Sequence, residues 1–245
     1  MDEAKRKRPL ERRPGILIWD WPVRLFHWLI VLLLIGSFLT VKVWPDFDLR
    51  THRLIGYTIL GLVIFRLLWG LAGGRHARFL SFVKGPGAIF RHIGELGRRG
   101  DPGHGGHNAL GALSVLALLA SLLVQTISGL FNSDDVLAEG PLHSIAGEEF
   151  RSFMGQVHEI NFIVLLALTV LHLAAIAFYV FWKGQALVSA MIHGRRRDLA
   201  PEEAGTTGSW LSLGISAAIA IGIVVVVVLL VPGWFPSSGT SDSFD

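Results

Sequence analysis

The sequence predicts an all-α membrane protein: a transmembrane four-helix bundle followed by a fifth, C-terminal transmembrane helix. Of its 245 residues, 51% are hydrophobic and 17% are charged, whereas soluble domains carry about 25% charged residues. The mean hydropathy is +0.52. The apolar residues fall into five runs, each close to the roughly 20 residues that cross a bilayer as a helix. These runs lie near Ile16–Val43, Arg53–Trp69, Asn108–Phe131, Val157–Trp182 and Trp210–Val231.

The charged residues between the runs predict the orientation of the chain. The N-terminal segment 1–15 and the segments 73–107 and 183–209 are rich in Lys and Arg, whereas segment 132–156 is mainly acidic. Positive segments stay on the cytoplasmic side, which places the N-terminus inside and the C-terminal tail outside. Tryptophans near the ends of the runs predict an aromatic belt at the membrane interfaces. They are Trp19, Trp21, Trp44, Trp69, Trp182 and Trp210.

The chain contains no cysteine. This excludes a covalently attached c-type haem, a cysteine-ligated iron–sulfur cluster, a thiolate zinc site and any disulfide. Histidine is therefore the strong transition-metal ligand that remains in number, with ten residues in the chain.

Four histidines are placed where an ionisable group is expensive. His27 and His172 lie inside the first and fourth runs, and His52 and His158 lie at the outer ends of the second and fourth. Such a side chain costs a few kcal/mol unless it is paired or bound, so each is a functional candidate. A single one could equally be a hydrogen-bonded contact between helices.

The spacing of the four histidines favours two metal sites. His158 and His172 are 14 residues apart, which on a helix is about 40° short of four turns and a rise of roughly 21 Å. Both rings therefore project from one face, at two depths. Depth alone pairs His27 with His172 and His52 with His158, so that two haems would each have two imidazole ligands.

Two imidazoles on one iron leave no open position, which favours electron transfer over oxygen binding. Zinc is a weaker alternative because it prefers four ligands at one point. A proton relay of isolated histidines is a third interpretation, and it would not require a shared helix face.

The other histidines are expected to be mostly solvated in loops: His76, His92, His104, His143 and His193. His107 has two interpretations. It is either a residue beside the helix cap at Asn108, or it contacts a haem propionate, a quinone headgroup or the inner iron. Arg24 and Arg66 either snorkel to the interface or pair with inner haem propionates.

With these residues in view, the chain resembles the family of bacterial cytochrome b561 and the b-type cytochrome of nickel–iron hydrogenase. The resemblance covers about residues 16–194. It rests on WDWPVRLFHW, HRLIGY, FRLLWGLAGGRHARF, GHNALGALSVLALL and QVHEINFIVLLALTVLH. It implies a four-helix bundle with two haem b groups, ligated by His27, His52, His158 and His172, in a bacterial inner membrane, where the tail that the charges place outside would be periplasmic. It also implies electron exchange with the quinone pool for a partner redox subunit.

These observations predict five segments: a basic N-terminus (1–15), a dihaem domain (16–194), a cytoplasmic linker (195–209), a fifth span (210–231) and an outer tail (232–245). The expected partners are the lipid bilayer, quinone and an outer-face redox protein of hydrogenase or c-type cytochrome character, with no nucleic acid. The protein is expected to be an electron-transfer subunit more than a free-standing enzyme. The alternatives are a self-contained superoxide:quinone oxidoreductase, disfavoured by the acidic outer loop, and a haem-free anchor.

Overall fold

The computed structural model describes residues 15–43, 49–83, 85–97, 105–133 and 139–230. Within these ranges the chain forms helices and one short antiparallel strand pair, β1 (Ile16–Leu17) with β2 (Arg195–Arg196). The α-helices are α1 (Trp21–Lys42), α2 (Leu49–Ala72), α3 (Phe79–Phe82), α4 (Pro86–Glu95), α5 (Ala109–Gly129), α6 (Glu148–Ala177), α7 (Leu187–His193) and α8 (Trp210–Val225).

Five helices are long and apolar enough to cross a membrane, which confirms the predicted fold class. They are α1, α2, α5, α6 with its π-helical continuation Phe178–Trp182, and α8 with its continuation Val226–Leu230. Many large apolar side chains on these helices face outward, among them Leu32, Ile163 and Leu171. Such a surface is stable in lipid and would be unusual in water.

Several helix boundaries differ from the prediction, and the starts of α1 and α6 differ most. α1 begins at Trp21, because Ile16–Leu17 pair with β2, Asp20 caps the helix and Pro22 lies in its first turn. α6 begins at Glu148, nine residues before the predicted start of the fourth span, and Glu148 and Glu149 stabilise its N-terminal dipole. His158 is therefore about 15 Å inside the helix and does not mark its end.

Four helices share an apolar core. α5 packs along α6, while α1, α5 and α8 all pack on α2. Neither α1 nor α2 packs closely along α6, so the bundle is more open on that side. The buried core residues come from α1, α2, α5 and α6: Ile30, Ile59, Val63, Leu122 and Leu165.

One end of the bundle is covered by the connecting segments, and we call it the capped end. It holds the start of α1, the end of α2 and the start of α5. The segment after β2, predicted as a linker, folds onto this end: Gly205 N donates to the Leu17 carbonyl at 2.7 Å. The Arg75 guanidinium donates to the carbonyls of Glu202 and Ala204.

Asp20 organises the capped end. Its carboxylate accepts hydrogen bonds from Val23 N (3.2 Å), Trp69 Nε1 (3.0 Å) and Gly74 N (3.4 Å), and the residue is 3% exposed. It thus joins the start of α1 to the end of α2. A buried carboxylate of this kind is stable only while its donors remain.

The aromatic-belt prediction is wrong for two tryptophans. Trp19 and Trp69 are buried in the cluster beneath the cap, where the Trp69 indole donates to Asp20. Trp21, Trp182 and Trp210 are exposed, as a belt requires. Trp44 lies outside the described residues.

Replacing Asp20 with Ala should destabilise the protein by about 3 kcal/mol, because a helix cap and two further buried donors lose their acceptor. The measurement is the thermal unfolding temperature in detergent, followed by tryptophan fluorescence. Glu202→Ala is the matched control, since this carboxylate is exposed at the same end. Equal melting temperatures for the two variants would contradict the role of Asp20.

Candidate functional site

The first histidine pair lies toward the end opposite the cap. His52 comes from the first turn of α2 and His158 from α6. Their ring centres are 6.4 Å apart and their planes are inclined by 79°. Two imidazoles that bind one metal ion from opposite sides, through nitrogen–metal bonds of about 2 Å, have ring centres about 6 Å apart. The spacing of this pair therefore suits one metal ion between the rings.

The tautomer of His158 is set by α5. Its Nδ1 lies 3.0 Å from the Gln125 carbonyl and 3.2 Å from Ser128 Oγ. A carbonyl only accepts, and the Ser128 hydroxyl donates to the Val124 carbonyl, so Nδ1 of His158 must carry the proton. Nε2 then has a free lone pair for a metal.

The same argument applies to His52, with α1 as the support. Its Nδ1 lies 3.3 Å from both Ser37 Oγ and Thr40 Oγ1. The Thr40 hydroxyl donates to the Ser37 carbonyl at 2.8 Å, so its oxygen accepts from His52. His158 therefore donates through Nδ1, and His52 has acceptors for a proton on its own Nδ1, so both rings can present Nε2 to a metal ion.

The second pair, His27 and His172, lies nearer the capped end. The two rings are close enough to interact electrostatically. His172 shares one face of α6 with His158, and the buried residues Asn161 and Leu165 lie on that face between them. Nδ1 of His27 is buried without a hydrogen-bond partner. The two histidines of α6 therefore lie at two levels of that helix, as their 14-residue spacing predicts.

Four of the five buried side-chain nitrogens without a partner among the described residues lie toward this second pair; the fifth is Nε of Arg53, the residue after His52. Arg24 Nε, His27 Nδ1, Arg66 Nη1 and His107 Nδ1 are all buried and unpaired in the described part of the chain. Arg24 also donates through Nη1 to the Ile192 carbonyl at 2.6 Å. The two arginine nitrogens only donate and therefore need acceptor oxygens, so the site suits a bound group that carries carboxylates on this side.

His107 lies just before α5, between two aromatic rings. Its ring centre is 4.6 Å from those of Trp19 and Phe82. Burial, followed by the positive charge of Arg66, lowers the pKa of His107 to about 3. The ring is therefore neutral at physiological pH, and it can offer a hydrogen bond but no charge.

Two histidines that the sequence predicts to be solvated, His76 and His92, instead make hydrogen bonds within the fold. His76 is 7% exposed and donates through Nε2 to the Glu203 carbonyl at 2.9 Å. His92 Nε2 lies 2.7 Å from the Tyr179 hydroxyl, with the two rings stacked. Their contacts involve residues about 90 to 130 positions away in the sequence, and such contacts cannot be recognised in one sequence.

The three remaining loop histidines are His143, His193 and His104. His193 is exposed, and His143 is half-buried with Nδ1 3.6 Å from the Glu139 carboxylate. His104 lies outside the described residues.

Among the described residues no group of three or more His, Asp or Glu side chains could hold a metal ion alone. An ion held by two imidazoles needs its other ligands from a bound group, as in haem. One turn from His52 on the same face of α2, a Cβ added at Gly56 would meet no atom within 4 Å, so no protein atom occupies the position next to the backbone there.

Membrane-spanning helices that carry paired imidazoles toward a shared interior define the class of membrane cytochromes. Residues 18–194 match the family model described as prokaryotic cytochrome b561, and this is well over half of the chain. The protein belongs to that family, so it is a multi-pass bacterial membrane b-type cytochrome of electron transfer. This confirms the resemblance. No curated protein and no solved structure gives a significant match. α8 lies beyond the matched residues.

Proposed function

We propose that this protein is a dihaem electron-transfer subunit linking the quinone pool to a redox protein on the outer face of the bacterial inner membrane. One haem b is held by His52 and His158 and the other by His27 and His172. The observation that carries the proposal is the first pair, whose rings are 6.4 Å apart and whose Nδ1 atoms are engaged by α1 and α5.

The chain's own residues define how the sites work. Haem supplies a one-electron couple, and two imidazole ligands keep its iron low-spin and closed to other ligands. His158 and His172 set the two levels roughly 21 Å apart along α6. At the second level, Arg66 and Arg24 are the residues that would bind propionates, with His107 as a further hydrogen-bonding group.

Charge supports an orientation with the capped end in the cytoplasm. The Lys- and Arg-rich segments 1–15, 73–107 and 183–209 then lie inside, and residues 232–245 form an outer tail after the fifth span, 210–231. The His27–His172 site is then the inner one, and the His52–His158 site is the outer one.

A quinone site is proposed at one of two places. The first is the capped end at His107 and Asn108, where the Asn108 side chain accepts from Gly111 N at 2.7 Å and caps α5. The second is the outer loop 133–156, of which residues 134–138 lie outside the described ranges. The first place is buried beneath the cap near one membrane face, and the second lies at the opposite face.

The histidine pairing is tested by single substitutions and a haem-to-protein ratio. We expect a ratio of two in the unchanged protein. His52→Ala and His158→Ala should each abolish one haem signal in the redox titration, and His27→Ala and His172→Ala the other, because one imidazole cannot hold the low-spin iron. His193→Ala is the control, since this ring is exposed and contacts Ser189 of its own helix. A ratio of one, or a different grouping of the losses, would refute the pairing.

The link to quinone is tested with the oxidised, purified protein. A soluble quinol should reduce the haems if one of the two proposed sites binds it. The absorbance of the reduced α-band gives the extent, with dithionite as the reference for full reduction. Reduction by dithionite but not by quinol would contradict the quinone assignment, while reduction by superoxide would favour the free-standing enzyme.

The orientation is open to labelling, because the chain has no cysteine of its own. Glu148→Cys and Glu202→Cys place one thiol on exposed residues at opposite ends of the bundle. A maleimide that cannot cross membranes should label Glu148→Cys in intact cells and Glu202→Cys only after lysis. The reverse result would invert the proposed topology.

A further inference from the structure

A polar cluster lies between α5 and α6 in the membrane interior. Asn161 of α6 is 9% exposed. Its Nδ2 donates to the Ser121 carbonyl (2.9 Å) and to Gln125 Oε1 (2.7 Å), and its Oδ1 accepts from Ser121 Oγ (3.1 Å). Three hydrogen bonds thus tie one side chain of α6 to one turn of α5.

Apolar side chains would pack these helices equally well, because hydrogen bonds between membrane helices contribute only about 1 kcal/mol each. The location of the cluster points to another role. Asn161 is one turn from His158, and it holds the side chain of Gln125, whose main-chain carbonyl accepts from His158 Nδ1 at 3.0 Å. The cluster and the histidine therefore share Gln125.

α5 also fits closely around the His158 ring. Ser128 Oγ lies 3.2 Å from Nδ1. A Cβ added at Gly129 would lie 3.1 Å from Cε1 of the same ring, which is tighter than normal packing. The turn from Gln125 to Gly129 thus fixes the position of the ring along the helix axis as well as its tautomer.

We propose that Asn161 is a positioning residue for the His52–His158 haem: by fixing Gln125 it aligns the carbonyl that accepts the Nδ1 proton of His158. α5 contributes none of the four proposed ligands. Its function at the site is to hold the His158 ring. The inference rests on the proposed function, since it requires His158 to bind iron.

The alignment has a chemical consequence for the iron. An imidazole that donates through Nδ1 to a carbonyl is a more basic ligand at Nε2. A more basic ligand stabilises ferric iron and lowers the reduction potential of that haem. His27 has no such acceptor, because its Nδ1 is unpaired. The two levels are therefore tuned differently by the protein.

The test is Asn161→Leu, a substitution of similar size that removes all three hydrogen bonds. We expect two haems per chain, a higher midpoint potential and altered low-spin EPR g-values for the haem that His158→Ala abolishes, and an unchanged second haem. Thr169→Val is the matched control: it removes a hydroxyl on α6 that bonds only to Leu165 of the same helix. It should leave both haems unchanged.

A second variant covers the case in which Asn161→Leu does not fold. Ser128→Ala removes one acceptor of the His158 proton and should shift the same haem in the same direction, by less. Unchanged potentials and g-values in both variants would overturn the proposal, as would an equal shift of both haems. If His158→Ala loses no haem, the proposed function itself fails, which is a separate result.

Discussion

Each imidazole in the membrane interior has two ring nitrogens that need a hydrogen-bond or metal partner, and no water is available there. The structure depends on meeting this requirement. His52 and His158 meet half of this requirement through Nδ1, using hydroxyls of α1 and the Gln125 carbonyl of α5. The other nitrogen needs a metal ion or a further donor. The rest of the bundle, including the polar residues that would otherwise be costly in lipid, is arranged around this need.

Much of the bundle could be predicted from the sequence because its determinants are local. Five apolar runs define five spans, and the 14-residue interval from His158 to His172 places both on one face of α6. The depth argument also paired His52 with His158, and the two rings do lie together. These inferences need only helix geometry and the thickness of a bilayer.

The features that escaped prediction depend on contacts between distant residues. Trp69 has the composition and position of a belt residue, yet it is buried because Asp20, 49 residues away, accepts from its indole. His76 is buried because Glu203 folds over it. Asn161 stands in an apolar run, and only the structure shows the turn of α5 that it holds. The early start of α6 was missed because Glu148 to Gln156 is too polar for a spanning run.

The capped end joins parts of the chain that are synthesised far apart. β1 cannot find β2, nor Leu17 the amide of Gly205, until nearly the whole sequence has been made. All four histidines belong to helices that precede these closing contacts. During biosynthesis the bundle therefore passes through a stage in which its ligand-bearing helices exist while the covering segments are still absent. If the proposed haems bind as described, the one at His27 and His172 can enter from this end before the covering contacts form, whereas the His52–His158 site lies at the opposite end.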